Sequence, residues 1–233
     1  MGSIAILAHR GSPDRSGGIF ENTLESFARA RGLGADGVEL DVRLTSDGEL
    51  AVHHDPVVDG AGPVAELKVA DLPPWVPLLP AALETCAGLT VNIEIKNLPG
   101  EPGFDPEDRA AREVVELVVA AGRVPDVVVS SFWPDTLGVV RSVHADLATG
   151  LLLSSWFDPV VGLALAIERG CTALHPHVDL IGPEMVEQAH RAGLFVATWT
   201  VNDPSQLEAA ATARVDAVIT DHVVEAVRAL RPE

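Results

Sequence analysis

Buried parallel strands usually read as unbroken apolar runs. Val38-Glu39-Leu40-Asp41-Val42 breaks that rule at every second residue. Because side chains alternate along a strand, Val38, Leu40 and Val42 share one face while Glu39 and Asp41 share the other. Asn92-Ile93-Glu94-Ile95-Lys96 repeats the pattern and brings a third carboxylate and an ammonium to a polar face. Three carboxylates in one narrow space need a cation or bases to balance them, since an unpaired buried charge is costly. Oxygen-only ligands suit Mg²⁺ or Ca²⁺ rather than zinc. The alternative is an ion-pair network in which Arg10 and Lys96 neutralise Glu39 and Asp41. Ala8-His9-Arg10-Gly11 and His53-His54 add imidazoles, which give and take protons near neutral pH. His9 and His54 are therefore the candidates for proton transfer. His53, one residue out of phase with His54, falls on the outside of its segment.

These groups meet only if several strands converge on one rim. Short runs rich in Val, Ile and Leu are expected as strands over 4–8, 37–42, 89–95, 126–130, 147–153, 172–175, 194–199 and 216–220. Helical patterns fall between them at 22–34, 79–87, 106–122, 134–144, 158–169, 183–192, 204–213 and 222–230, several opened by an N-cap followed by proline, as in Asp158-Pro159 and Asp203-Pro204. Alternating β and α elements of this number predict an α/β fold, a (β/α)₈ TIM barrel formed as a single domain over residues 1–233. The run Glu49–His54 is one strand too many. Only Arg43–Gly48 separates it from the second strand, which suits a hairpin with an Asp-Gly turn and not a crossover helix. This antiparallel excursion after strand 2 returns His54 to the rim where barrel active sites lie. The proline-rich segment 55–78 is expected as the loop that leads back to the next helix.

Composition narrows the functional classes. A net charge of −18 repels nucleic-acid phosphates and anionic membrane surfaces, so neither nucleic-acid binding nor stable membrane association is expected. With 47% hydrophobic residues the chain can bury a large core. Cys86 and Cys171, far apart and outside any CxxC spacing, read as small buried apolar side chains. The first residues, Met1-Gly2-Ser3-Ile4-Ala5-Ile6, lack the basic region of a signal peptide, and no run approaches the roughly 18 apolar residues of a membrane span. A cytoplasmic protein is expected.

The chain resembles the glycerophosphodiester phosphodiesterase family, which is related in barrel and chemistry to phosphatidylinositol-specific phospholipase C. The residues that carry the likeness are His9-Arg10-Gly11, Glu21-Asn22-Thr23, Glu39-Leu40-Asp41-Val42, Thr45-Ser46-Asp47-Gly48, His54-Asp55, Ile93-Glu94-Ile95-Lys96, Ser131-Phe132, Trp199-Thr200-Val201-Asn202 and Thr220-Asp221. Each is weak alone; together, in the family's order, they span the whole domain. The resemblance implies that Glu39, Asp41 and Glu94 bind a divalent cation, Mg²⁺ or Ca²⁺, and that His9 and His54 are the general acid and base. It further implies that Arg10 and Lys96 hold phosphate oxygens, that Trp199 lines the substrate slot, and that Glu21 and Asn22 contact the site. The implied reaction converts a small glycerophosphodiester to glycerol 3-phosphate and an alcohol. The chain departs from the family at Ser46, where lysine is frequent, at His222-Val223, where proline often follows the Thr-Asp pair, and in the shortness of segment 55–78. Two other readings compete with it. One is a lysophospholipase D-type or phospholipase C-type enzyme, which needs an apolar lip from residues such as Trp75, Val76, Trp156 and Phe157. The other is a non-catalytic phosphodiester-binding barrel, which has no need of an acid–base pair.

Overall fold

The computed structural model describes residues 3–231. Met1 and Gly2, on which the reading of the chain's start partly rests, and Pro232 and Glu233 at the end of the expected domain, lie outside the described residues. In chain order the elements are β1 (Ala5–Ala8), α1 (Leu24–Gly32), β2 (Gly37–Leu44), β3 (Leu50–Val52), β4 (Val57–Val58), β5 (Gly62–Pro63), α2 (Leu79–Thr85) and β6 (Thr90–Ile95). There follow α3 (Arg109–Ala120), β7 (Val127–Ser131), α4 (Pro134–Val143), β8 (Ala148–Leu153), α5 (Pro159–Glu168), β9 (Ala173–Pro176), α6 (Pro183–Arg191), β10 (Phe195–Thr198), α7 (Pro204–Ala213), β11 (Ala217–Thr220) and α8 (Val223–Leu230).

Strands β1, β2, β6, β7, β8, β9, β10 and β11 pair in parallel in that order, and β11 pairs back with β1. The sheet is therefore closed, and helices alternate with its strands in a TIM barrel. The expected elements are all present, with bounds that differ by up to three residues: α3 begins at Arg109 where 106 was expected, and β2 runs on to Leu44. Local chemistry explains several starts. Thr23 caps α1 by accepting from the Ser26 amide at 3.3 Å, and Asp158 caps α5 by accepting from the Val160 amide at 2.8 Å.

The alternation read from the sequence decides what each face meets. Val38, Leu40 and Val42 of β2 and Val91, Ile93 and Ile95 of β6 join the large core between barrel and helices. Inside the barrel, Leu7, Ala197, Ala217 and Ile219 form a separate apolar cluster on the β10–β11–β1 side. The hairpin is also present, with β3 antiparallel to β2 in the register Val42↔Val52 and Leu44↔Leu50. Segment 55–78 is more ordered than a plain loop. It contains the two-stranded ladder β4–β5 and two 3₁₀ turns, because Val58, Val64 and Val76 bury themselves with Ala51 in a small core of their own. No helix among the described residues is long and apolar enough to cross a membrane.

Candidate active site

The polar residues gather at the C-terminal ends of the barrel strands, where loops can reach over them. Pairing of β1 with β2 sets Ala8 beside Val38, so the next residue, His9, comes level with Glu39. Pairing of β2 with β6 sets Glu39 beside Asn92 and Asp41 beside Glu94. Glu39, Asp41 and Glu94 are all buried, and each offers an oxygen within 4.8 Å of the other two. No other group among the described residues offers such a set.

Arg10 and Lys96 lean on the same cluster. Arg10 Nε lies 3.3 Å from Asp41 Oδ2, and Lys96 Nζ lies 3.1 Å from Asp41 Oδ1 and against Glu94 Oε1. The backbone after β1 turns sharply to achieve this. Arg10 and Gly11 both have positive φ, 52° and 82°, and a Cβ on Gly11 would come within 2.8 Å of the Ser26 backbone. That turn aims the Arg10 amide at Glu39 Oε2, 2.9 Å away, while the guanidinium reaches Glu21 at 2.7 Å. Asn22, a second non-glycine residue with positive φ, is buried, and its amide group donates to Asp41 Oδ2 at 2.8 Å. Asn22 thus orients a carboxylate of the cluster, and Glu21 orients Arg10.

Charge in this cluster does not cancel. Burial pushes Glu39 up to about 8, with the Asp41 charge adding to the effect. Burial acts on Asp41 as well, but Lys96 and Arg10 overcome it and hold that carboxyl well below the usual carboxylate range. Glu94 stays above its ordinary value because burial outweighs Lys96. Three carboxylates face two cationic side chains, and burial with the nearby Asp41 charge favours the protonated form of Glu39. The buried oxygens Asp41 Oδ1, Asn92 Oδ1 and Glu94 Oε1 make no hydrogen bond of good geometry. A hard divalent cation fits such an oxygen set and would supply the missing charge.

The two histidines are built alike and biased in opposite directions. His9 Nδ1 lies 2.8 Å from Asp221 Oδ1, leaving Nε2 to face Glu39 at 4.0 Å. His54 Nδ1 lies 2.7 Å from Asp55 Oδ1, so its Nε2 is likewise the ring nitrogen turned away from the orienting carboxylate. Burial works to lower His9, but the bond to Asp221 and the Glu39 charge leave it above the ordinary histidine value. His54 ends below that value, since burial outweighs the attraction of Asp41. His53 faces away, with Nε2 3.3 Å from the Val57 carbonyl and its ring edge-on to Trp75. Trp199 stands at the rim with Nε1 donating to the His175 carbonyl at 2.9 Å and its ring edge-on to Phe132.

The sequence reading missed three positioning residues. Asp221 was quoted there only as part of a segment, yet it orients His9 and is itself held by Asn202 Nδ2 at 2.6 Å. The signal was available in barrel closure, which sets Thr220 beside Ala8 and so brings Asp221 level with His9. Arg43, nearly buried, donates from Nε to the His54 carbonyl at 2.8 Å and fixes the end of the hairpin.

Residues 9–225 match the glycerophosphoryl diester phosphodiesterase family. The chain is 32% identical over 237 residues to a glycerophosphodiester phosphodiesterase of Caldanaerobacter subterraneus subsp. tengcongensis, covering 93% of each. It is 31% identical over 249 residues to one of Bacillus altitudinis, covering 96% of each. Among solved structures, it superposes with a TM-score of 0.83 at 26% identity on an Oleispira antarctica phosphodiesterase in complex with the product sn-glycerol-3-phosphate, over 97% of this chain and 96% of that one. A glycerophosphodiester phosphodiesterase of Parabacteroides distasonis gives 0.86 at 25% identity, over 98% and 97%. The match runs from the histidine that follows the first barrel strand into the helix that follows the last, and the chain belongs to the glycerophosphoryl diester phosphodiesterase family.

Proposed function

We propose that this protein hydrolyses glycerophosphodiesters to glycerol 3-phosphate and an alcohol, with Glu39, Asp41 and Glu94 holding a divalent cation and His9 and His54 moving protons. The observation that carries the reading is geometric: a buried acidic trio, Arg10, Lys96 and two histidines, each bonded through Nδ1 to a carboxylate, gather at one end of the barrel. Groups whose surroundings push their pKa values apart divide into acid and base. His54, held low, is the base that takes the proton of the substrate's neighbouring glycerol hydroxyl as its oxygen bonds to phosphorus. His9, held high, is the acid that gives a proton to the departing alcohol as its bond to phosphorus breaks. The same pair, with roles exchanged, lets water open the resulting cyclic phosphate, so each histidine ends the cycle as it began. Held by Glu39, Asp41 and Glu94, a bound Mg²⁺ or Ca²⁺ would supply Lewis-acid stabilisation of the charge that develops on the phosphate.

Arg10 and Lys96 serve as the fixed positive charges for the phosphate oxygens, preset by Glu21 and by the acidic trio. Trp199 forms the wall of the slot, and Asn22 keeps Asp41 in register. Support for this substrate class comes from the product named in the Oleispira antarctica complex and from the activity named for the 31–32% identical relatives. A panel of glycerophosphocholine, glycerophosphoethanolamine and lysophospholipids, assayed with Mg²⁺ or Ca²⁺ and followed by glycerol 3-phosphate release, tests it. Release from the water-soluble diesters that stops with chelator and returns with metal is the expected result. A fully active preparation found free of divalent ions would instead leave the acidic trio as an ion-pair network with Arg10 and Lys96.

A further inference from the structure

Asp108 stands immediately before α3, where a carboxylate ordinarily caps the helix by accepting from its first amides. Its side chain makes no such bond. That part falls to Asp105, which accepts from the Glu107 amide at 3.1 Å and the Arg109 amide at 3.0 Å and pairs with Arg109 Nε at 2.9 Å. Asp108 is buried, and it holds a left-handed backbone, φ 49° and ψ 44°, that a residue with a Cβ adopts at a cost. A buried carboxylate in a strained backbone that leaves its own helix uncapped does not serve that helix. What it serves is seen in the groups it reaches.

One oxygen, Oδ1, accepts from both Asn97 Nδ2 and Thr136 Oγ1, the latter at 2.6 Å. Both donors are buried. Asn97 directly follows Lys96, and its side-chain amide also pairs with the Asp105 backbone, accepting from the N–H at 2.8 Å and donating to the carbonyl at 2.9 Å. Segment 97–105 is thereby closed at its root. Thr136 lies in the first turn of α4, four residues after Phe132. Asp108 thus joins the chain just beyond Lys96 to the chain just beyond Phe132. On the strand side of the same two residues, buried Ser131 donates to the Ile95 carbonyl at 3.1 Å and accepts from the Trp133 amide at 3.1 Å. Lys96 and Phe132 sit between these two fasteners, with the ammonium 6.0 Å from the ring centre. A lysine is a point charge on a flexible stem, so the place of its ammonium depends on where its backbone starts and on what the stem lies against.

We propose that Asp108 is a positioning residue: through Asn97 and Thr136 it keeps Lys96 in register with Phe132, and so keeps the ammonium where the phosphate is held. The proposal rests on the phosphodiesterase reading for the role of Lys96 and adds the group that sets it.

The chain has two lysines, Lys96 and the exposed Lys68, so protein labelled with ¹⁵N in its lysine side chains gives one ammonium signal from the site and one from the surface. Lys68→Arg assigns them. In Asp108→Ala, which leaves Asn97 and Thr136 without their acceptor, the Lys96 signal should shift while that of Lys68 stays. Affinity for sn-glycerol 3-phosphate, titrated calorimetrically with Mg²⁺ present, should fall by about tenfold or more, the scale of a lost hydrogen bond to a charged group. Asp108→Asn retains Oδ1 as the acceptor of both bonds and should restore the Lys96 signal and most of the affinity. Val118→Ala, in the buried face near the far end of α3, supplies a comparable loss of stability and should move neither readout. Should Asp108→Ala fail to fold, Thr136→Val cuts only the arm to α4 and is expected to move both readouts in the same direction by less.

An unmoved Lys96 signal or wild-type affinity in the variant that folds overturns the proposal. So does an Asp108→Asn protein as impaired as Asp108→Ala, or a Val118→Ala protein that loses as much affinity. A shifted signal and weakened binding, both recovered in Asp108→Asn, support the positioning role even in a protein that hydrolyses no glycerophosphodiester, and that last result would count only against the phosphodiesterase reading.

Discussion

The interior of this barrel has two sides that obey different rules. On the β10–β11–β1 side, Leu7, Ala197, Ala217 and Ile219 fill the space with apolar atoms, as in a barrel core that serves stability alone. On the β2–β6 side the same inward positions carry Glu39, Asp41, Asn92 and Glu94. Burying those groups costs stability that burying Leu or Ile would have gained. The first side holds the cylinder closed so that the second can keep an unbalanced charge in place.

The largest effects should come from the charged side. Glu39→Ala, Asp41→Ala and Glu94→Ala are each expected to weaken divalent-ion binding by more than about a hundredfold, beyond the 10–100-fold typical of groups that merely orient ligands. Calorimetric titration with Mg²⁺ and Ca²⁺ would measure this, and wild-type affinity in any of the three removes that residue from the cation site.

Next come the histidines. His9→Ala and His54→Ala should each slow turnover by about 10²–10⁴, whereas His53→Ala should do far less. The wild-type pH profile should be bell-shaped, falling below the ordinary histidine range as His54 becomes protonated and above it as His9 loses its proton. Equal losses at His53 and His54 would reverse the phase assigned to the hairpin.

Asp221→Asn is expected to have a smaller effect, with a sign that a purely structural role does not predict. Removing the charge bonded to His9 lowers its pKa, so the alkaline limb of the profile should move to lower pH while the acid limb stays in place.

The smallest effects on chemistry, and the sharpest contrast between the two sides, should appear in stability. Ile219→Ala should cost about 2–5 kcal/mol in denaturant unfolding with divalent-ion affinity retained. Glu39 should act in the opposite sense in metal-free protein. Its folded pKa, near 8, lies above its unfolded value of 4.5, so the folded state binds the extra proton between those limits. Stability should therefore fall as pH rises from about 4.5 to about 8 and level off beyond. Glu39→Gln should flatten that slope, and an unchanged slope in the variant would assign it to another group.

Where a reading needed only the alternation of one strand, the sequence sufficed. Glu39, Asp41 and Glu94 announced themselves as acids in apolar runs, and the split between His53 and His54 followed from hairpin phase. Partners brought in by distant pairing were hidden. Asp221 meets His9 only because β11 closes on β1, and Asn22 meets Asp41 only because Asn22 adopts a left-handed backbone ahead of α1. In segment 55–78 the prolines suggested a loop, and the buried valines that give it a core were too widely spaced to show a period.

The bond between His9 and Asp221 joins residues 212 apart in the chain. During synthesis the first strand emerges with its histidine long before the last strand exists, and until then the imidazole has neither its orienting carboxylate nor its charge bias. On the proposed mechanism, a nascent or partly opened chain would carry the acidic trio, the hairpin and the arginine, yet lack its proton donor. Activity would then arrive with the final seam of the cylinder and depart if that seam opened. Loss of turnover should then precede loss of helical signal whenever unfolding begins at the junction of β11 and β1.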